Sequence, residues 1–414
     1  MSAALRHYLT VTAAYWGFTL SDGALRMLVL LHFYQLGYSP FTLAFLFLLY
    51  EAAGIAANLG GGWLAARFGI ARMLSVGLAL QVAGLLLLSA LDPGWGAALS
   101  VTWVVFAQGV AGVAKDLTKT AAKSAIKLTA VDGAGQLFRW VAWFTGSKNA
   151  MKGVGFFLGG LLLELAGFRT GLWLMAGLLA AVLAATLIAL PSQLGRGGAS
   201  RSVRELFAKS AGINILAAAR IFLFAARDVW FVVGLPVFLY AGGWSFWEVG
   251  GFLAAWTIAY GSIQVAAPSL VRRSADGLSR EVPAARLWAL LATAVPLGLA
   301  VMVATLGDQG ALVVTFVVLG LGLFGLPFAV NSSLHSYLVL AYAGSKKAAE
   351  DVGFYYAANA TGRLVGTLCS GLLYQAGGLI GCLAGSAVLL AICSIVAFML
   401  PVERPAGERV EAPG

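Results

Sequence analysis

Twelve apolar stretches, each long enough to cross a bilayer, alternate with short polar segments along the chain. A transmembrane helix needs about 20 predominantly apolar residues. The first six predicted spans lie at roughly 10–34, 41–66, 73–91, 97–118, 139–165 and 171–191. The second six lie at roughly 213–240, 246–270, 287–306, 311–340, 351–376 and 379–400. The pattern therefore predicts an all-α membrane protein with twelve transmembrane helices.

A polar segment, SQLGRGGASRSVRELFAKSAG, separates the two sets of six spans. It is basic and rich in glycine and serine, which is typical of a linker. We therefore predict an N-terminal six-helix bundle at 1–191, a cytoplasmic linker at 192–212, a C-terminal six-helix bundle at 213–402 and a cytoplasmic tail at 403–414.

The two halves repeat one another. A shift of 206 residues pairs Asp22 with Asp228, and a shift of 211 residues pairs Lys152 with Arg363. Two parallel, pseudo-symmetric six-span halves are typical of the major facilitator fold, in which the substrate binds between the halves near the middle of the membrane. This is the fold that the sequence predicts.

Composition agrees with a multi-pass membrane protein. The chain is 60% hydrophobic and only 11% charged, and its mean hydropathy is +0.89. Lys and Arg concentrate in alternate loops, so the positive-inside rule places both termini in the cytoplasm. These loops also account for most of the net charge of +10, and no nucleic-acid partner is needed. We expect an inner-membrane protein whose first span is retained, because no signal-peptide cleavage pattern precedes it.

Several function classes are disfavoured by missing motifs. No P-loop or other enzyme signature is present, so we predict a secondary transporter with no enzyme activity, catalytic residue or cofactor. The three histidines are dispersed, and the three cysteines form no C-x-x-C pair. We therefore expect no metal site and assign the cysteines to the helix core.

Charged side chains inside the predicted spans are the candidate functional residues, because such charges are costly unless they face a cavity or a partner. The deeper cations are Arg26, Lys148, Lys152, Arg220, Arg227 and Arg363, and the deeper anions are Asp22, Glu51 and Asp228. Ion pairs, for example Asp22 with Arg26, can neutralise only part of this positive charge. The surplus predicts a small organic substrate with more than one anionic group.

The acidic residues allow two interpretations. Asp22 and Asp228 occupy equivalent positions in the repeat. They are expected to be ion-pair partners of the cavity cations, and a proton-coupling site is the alternative. Glu51 is more isolated in the sequence, so it is the better candidate for a proton carrier.

A stripe of lysines begins near the end of span 4 and continues beyond it. Lys115, Lys119, Lys123 and Lys127 recur every four residues and so share one helix face. Lys119 and Lys123 are candidate substrate contacts, and the alternative is that these side chains extend toward cytoplasmic water.

Two further patterns lie in the second half. Tyr355, Asn359 and Arg363 recur every four residues, so a hydroxyl, an amide and a guanidinium share one helix face and could bind oxygen atoms. His335 has polar neighbours in its span, which fits a cavity wall or a satisfied core histidine. The candidate substrate-binding residues are Arg26, Lys119, Lys123, Lys148, Lys152, Arg227, His335, Tyr355, Asn359 and Arg363.

Longer blocks carry a family resemblance. GGWLAARFGIAR after span 2 resembles the cytoplasmic loop motif of the major facilitator superfamily, with Ala66 where an acidic residue is usual. YWGFTLSDGALRMLVLLHF, AKDLTKTAAKSAIKL, TGSKNAMKGVGFFLGG and DVGFYYAANATGRLVGTL resemble the corresponding blocks of the ArsJ organoarsenical efflux permeases. This resemblance covers nearly the whole chain.

The resemblance implies arsenate resistance by export of 1-arseno-3-phosphoglycerate. This ester forms when glyceraldehyde-3-phosphate dehydrogenase uses arsenate in place of phosphate, so the resemblance also implies a functional link to that enzyme. The ester carries an arsenate group at one end and a phosphate group at the other. We hypothesise that Lys148 and Lys152 bind one end and that Arg227 and Arg363 bind the other. An organophosphate/phosphate antiporter of the same fold is the leading alternative, and a non-transporting receptor or scaffold is another.

Overall fold

The computed structural model describes residues 3–125, 134–191, 194, 210–271, 274, 276–307, 310–342 and 348–402. Helices account for nearly all of these residues, and the described ranges contain no strand. The predicted tail at 403–414 and most of the predicted linker, including all of the linker's basic residues, lie outside these ranges.

The helices of the first half of the chain follow the predicted spans. They are α1 (Ala3–Gln35), α2 (Pro40–Phe45), α3 (Leu48–Phe68), α4 (Ile70–Ser89), α5 (Ala97–Ala125) and α6 (Ala134–Ala189). Those of the second half are α7 (Ala211–Val229), a π-helical turn (Trp230–Gly234), α8 (Leu235–Ala241), α9 (Phe246–Leu270), α10 (Glu281–Leu306), α11 (Gly310–Tyr342) and α12 (Ala348–Phe398).

Two of these helices contain two predicted spans each. The continuous helical hydrogen bonding of α6 is interrupted at Gly167, where φ is 75°. A similar interruption occurs in α12 at Gly377 and Gly378, and Gly378 has a φ of 58°. Glycine tolerates this left-handed region because it lacks a Cβ atom, so each pair of spans is joined by a sharp turn.

Within the described ranges, nine helical stretches are long and apolar enough to cross a membrane. Two of the nine are the folded helices α6 and α12, which make two passes each. At 33 residues α1 is also long enough to cross a membrane, although it is less apolar than these nine stretches. With α1 included, the described helices account for the twelve passes that the hydrophobic pattern predicts.

The chain divides into two compact units. The first comprises Met1–Arg201 with Leu239–Gly261, and the second comprises Ser202–Phe238 with Ser262–Gly414. The segment Leu239–Gly261 thus packs with the first unit, whereas the division at 192–212 into two six-helix bundles stays a prediction.

Close helix packing positions the charged residues of each unit. In the first unit, a Cβ atom on Gly155 of α6 would lie 2.4 Å from the Leu20 carbonyl oxygen of α1. In the second unit, a Cβ atom on Gly366 of α12 would lie 2.6 Å from the Ala225 carbonyl oxygen of α7. Small residues let helix backbones approach this closely. Each glycine lies three residues beyond a predicted site cation, Lys152 or Arg363.

Candidate functional site

A chain of alternating charges crosses the first unit. Arg26 of α1 donates from Nη2 to Glu51 Oε1 of α3 at 2.7 Å. Lys115 Nζ of α5 lies 3.9 Å from Glu51 Oε2 and 3.6 Å from Asp116 Oδ2. Lys119 Nζ lies 3.1 Å from Asp116 Oδ1. Three cations and two carboxylates are therefore linked across three helices.

This network corrects two sequence interpretations. Glu51 is not isolated, because its buried carboxylate contacts Arg26 and Lys115. The expected pairing of Arg26 with Asp22 is also wrong, since Arg26 binds Glu51 instead. The reason is that packing of α3 and α5 beside α1 offers Arg26 a carboxylate from a neighbouring helix, which the spacing along α1 does not show.

Asp22 has partners on two other helices. The Tyr50 hydroxyl of α3 donates to Asp22 Oδ1 at 2.5 Å, and Lys152 Nζ of α6 lies 4.0 Å from Asp22 Oδ2. Lys148, one turn before Lys152, is partly buried. Asp22 therefore holds Lys152 in place within the first unit, which agrees with its interpretation as an ion-pair partner.

The lysine stripe is only partly described. Lys119 Nζ donates to Asn58 Oδ1 of α3 at 2.9 Å, in addition to its contact with Asp116. The side chain of Lys123 and the whole of Lys127 lie outside the described part of the chain. The substrate-binding roles of Lys119 and Lys123 therefore stay predictions.

Asp228 is the centre of the corresponding group in the second unit. Arg363 Nε of α12 lies 3.5 Å from Asp228 Oδ2, and Arg227 Nε lies 2.5 Å from Asp228 Oδ1. Asp228 is buried. One carboxylate is thus shared by two arginines, so this group carries a net positive charge.

The predicted stripe on α12 faces α7. The guanidinium carbon of Arg220 lies 4.9 Å from the centre of the Tyr355 ring. Arg220 Nε donates to Asn359 Oδ1 at 3.0 Å, and Arg363 contacts Asp228. All three members of the stripe therefore contact acidic or basic residues of one helix.

His335 on α11 is fully buried. In the described part of the chain, neither ring nitrogen has a hydrogen-bond partner. Neighbouring Ser332 accepts two hydrogen bonds from Arg220 Nη1, at 3.0 Å to its carbonyl oxygen and 3.1 Å to its hydroxyl. The choice between a cavity wall and a core histidine for His335 stays a prediction.

Sequence reasoning missed two residues of these networks. Asp116 neutralises two lysines but does not stand out among the intramembrane anions of the sequence. Its position inside the lysine stripe is the available signal. Tyr50 carries no distinctive spacing, so only helix packing reveals its contact with Asp22.

Comparison with known proteins identifies the family. The model of the Major Facilitator Superfamily matches residues 9–347. The chain belongs to this superfamily. As a major facilitator protein it is a multi-pass membrane protein and a secondary transporter, not an enzyme. A comparison of the sequence with curated proteins gave no match.

Solved structures agree with the major facilitator fold. A POT family transporter in complex with 5-aminolevulinic acid aligns with a TM-score of 0.74 at 13% identity, covering 95% of each chain. A point mutant of the nucleoside transporter NupG aligns with a TM-score of 0.70 at 14% identity, covering 96% of this chain and 99% of that one. At these identities the likeness shows the fold alone.

Proposed function

We propose that this major facilitator protein exports an arsenate ester of phosphoglycerate, 1-arseno-3-phosphoglycerate, from the cytoplasm and so confers arsenate resistance. In this proposal it lies in the inner membrane with both termini cytoplasmic. Its substrate is supplied by glyceraldehyde-3-phosphate dehydrogenase.

The observation that carries this proposal is the group of arginines on α7 and α12. Arg227 and Arg363 share the carboxylate of Asp228, and the described hydrogen bonds of Arg220 go to neutral acceptors. Buried charges are stabilised by a counterion, because the membrane interior solvates them poorly. An anionic substrate supplies that counterion while it is bound.

The types of cation also favour an ester of this kind. Arginine binds tetrahedral oxyanions through a planar fork, and lysine acts as a mobile point charge. The second unit supplies arginines around Asp228, and the first supplies Lys148 and Lys152. Each type of cation suits one of the oxyanion groups that such an ester carries.

The three cysteines are consistent with a substrate that contains pentavalent rather than trivalent arsenic. Cys382 and Cys393 are buried, Cys369 is partly buried, and all three are free thiols. Trivalent arsenic favours clustered thiolates, as other soft ligands do, whereas the pentavalent arsenic of an arsenate ester is bound through its oxygens. An oxygen-bound substrate is therefore favoured.

The second candidate is an organophosphate/phosphate antiporter. Such permeases use arginines in spans 1 and 7, and this chain has Arg26 and Arg227 in those spans. Arg26, however, is engaged by Glu51 at 2.7 Å and stacks over Phe47 at 5.0 Å. Arg227 is engaged by Asp228 in a similar way, so these two arginines do not separate the antiporter from the exporter, and the flux measurement below does.

The proposal is tested by arsenate accumulation in cells that express the protein with and without co-expressed glyceraldehyde-3-phosphate dehydrogenase. We expect accumulation to fall only when both proteins are present. Unchanged arsenate accumulation together with increased 3-phosphoglycerate flux would replace the exporter by the antiporter.

A further inference from the structure

Arg220 differs from the other buried arginines in having neutral partners. It donates to Asn359 Oδ1 at 3.0 Å and to the carbonyl and hydroxyl oxygens of Ser332 at 3.0 and 3.1 Å. Its guanidinium carbon lies 4.0 Å from the centre of the Phe224 ring. In the described part of the chain no carboxylate pairs with Arg220, although its side chain is enclosed by α7, α11 and α12.

One terminal nitrogen of Arg220 remains available. The three hydrogen bonds use Nε and Nη1, and Nη2 makes none with the described residues. Its two N–H groups can therefore donate to a ligand.

Two more polar side chains lie on α11 close in sequence to Ser332, which accepts hydrogen bonds from this guanidinium. Asn331 and His335 are one helical turn apart on α11, on either side of Ser332 in the sequence, and both have 0% exposure. None of their side-chain nitrogen or oxygen atoms has a hydrogen-bond partner in the described region. His335 is three residues beyond Ser332, so the two share one face of α11. Buried polar atoms without partners are uncommon, and a bound ligand is one explanation for them.

We propose that Arg220, together with Asn331 and His335, forms a second subsite for a tetrahedral oxyanion, separate from the group around Asp228. The proposal rests on the proposed function in one respect, since it assigns this subsite to one anionic group of the transported ester. Arg220 supplies the charge, and the Asn331 amide and the His335 ring supply N–H donors. Ser332 and Asn359 hold the guanidinium in position.

The spacing along α7 keeps the two groups apart. Arg220 and Asp228 are eight residues apart in the sequence, which corresponds to about 12 Å along an α-helix. On α12 the matching residues, Asn359 and Arg363, are only one turn apart. An anion at Arg220 is therefore near the Asp228 group without sharing its carboxylate.

Arg220 is surrounded by neutral groups among the described residues, and this should increase its contribution to oxyanion affinity. Asp228 already neutralises part of the charge of Arg227 and Arg363. Arg220 keeps its full charge in a poorly solvating environment, where a charge-assisted hydrogen bond is stronger than one between neutral groups. We therefore expect Arg220 to contribute more to oxyanion affinity than Arg227 does.

The test uses the purified full-length protein in lipid nanodiscs, with inorganic phosphate and 3-phosphoglycerate as probes. Thermal unfolding is measured with increasing probe concentration, because a ligand that binds only the folded state raises the unfolding temperature. For Arg220→Gln we expect the affinity for both probes to fall by about tenfold or more relative to the wild type. The unfolding temperature without probe should be unchanged or raised, because an uncompensated buried charge has been removed.

Arg286 provides a matched control in the same unit. Arg286 also donates only to neutral acceptors, the carbonyl oxygens of Ala397, Phe398 and Leu400. For Arg286→Gln we expect the reverse result, a lower unfolding temperature without probe and an unchanged response to it. If Arg220→Gln behaves like Arg286→Gln, Arg220 is structural and the proposal is overturned.

Further variants cover the case in which Arg220→Gln does not fold. The double variant Asn331→Leu/His335→Leu should weaken probe binding while Arg220→Lys retains part of it. Wild-type affinity in the double variant overturns the subsite.

The subsite and the proposed substrate can fail independently. If cells show no export of an arsenate ester but Arg220→Gln still loses probe binding, the proposed substrate is wrong and the subsite stands. If the ester is exported but Arg220→Gln binds the probes as the wild type does, the subsite falls and the proposed substrate stands.

Discussion

Arg363 Nε lies 3.5 Å from Asp228 Oδ2 and joins α12 to α7. Lys152 joins α6 to α1 in the same way, with Nζ 4.0 Å from Asp22 Oδ2. These are the four residues that the internal repeat pairs, so each unit places a cation against its own equivalent aspartate. The repeat has thus kept a contact as well as a sequence pattern.

The carboxylate of Asp228 should stabilise the second unit because it neutralises two neighbouring arginines. Removing one partner of a buried ion pair costs about 3–5 kcal/mol, because the remaining charge is left buried without compensation. We expect Asp228→Asn to lose stability of this order in denaturant unfolding of the purified protein. The added substitution Arg363→Met should recover part of the loss, and Asp92→Asn, at an exposed turn, should have little effect. A fully stable Asp228→Asn would contradict the ion-pair role.

The cations held by these aspartates should be required for transport. We expect Lys152→Ala and Arg363→Ala to reduce arsenate tolerance to that of cells lacking the protein, because each removes a charge that the substrate needs. Membrane abundance, measured by immunoblot, should be unchanged. Arg280→Ala changes an exposed arginine and serves as the control. If arsenate tolerance falls equally in all three variants, Lys152 and Arg363 matter no more than an exposed positive charge, which would contradict their proposed role.

The contact of α6 with α1 depends on Gly155. A Cβ atom there would lie 2.4 Å from the Leu20 carbonyl oxygen, so we expect Gly155→Ala to push the helices apart and cost about 1–3 kcal/mol. Gly177 on the same helix has nothing within 4 Å of an added Cβ atom. Gly177→Ala should therefore be neutral or stabilising by up to about 1 kcal/mol. Thermal unfolding of the two variants makes the comparison, and equal shifts would argue against close packing at Gly155.

Arg286 should hold the end of α12 against α10. Its guanidinium donates to the carbonyl oxygens of Ala397, Phe398 and Leu400, the last at 2.8 Å. Basic side chains near a helix C-terminus satisfy carbonyls that have no partner within the helix. We expect Arg286→Gln to cost about 1.5–3 kcal/mol, the range for hydrogen bonds from a charged group. Hydrogen exchange should increase at the end of α12, and unchanged exchange there would count against this role.

Much of the fold follows from the sequence alone. Long apolar runs specify the passes because a bilayer requires each spanning segment to satisfy its own backbone hydrogen bonds. The repeat relates Asp22 to Asp228 and Lys152 to Arg363, and both resulting pairs are in contact in their own units.

The finer contacts do not follow from sequence, because they depend on which helix packs beside which. Arg26 has Asp22 one turn away on α1, yet its partner is Glu51 on α3. A spacing of four residues places two side chains on one face, but a carboxylate on an adjoining helix can approach more closely. The role of Asp116 is hidden for a similar reason, since five charged residues link three separate helices.

If both termini are cytoplasmic, as proposed above, the glycine turns at Gly167 and at Gly377 and Gly378 face outward and determine what a reagent outside the cell can reach. Each turn reverses the chain within one or two residues and leaves almost no flexible segment that could enter the cleft of a protease. Trypsin or a bulky labelling reagent added to intact cells should therefore find no substrate at these two connections. An epitope tag inserted there would have to bring its own linker to be accessible to an antibody.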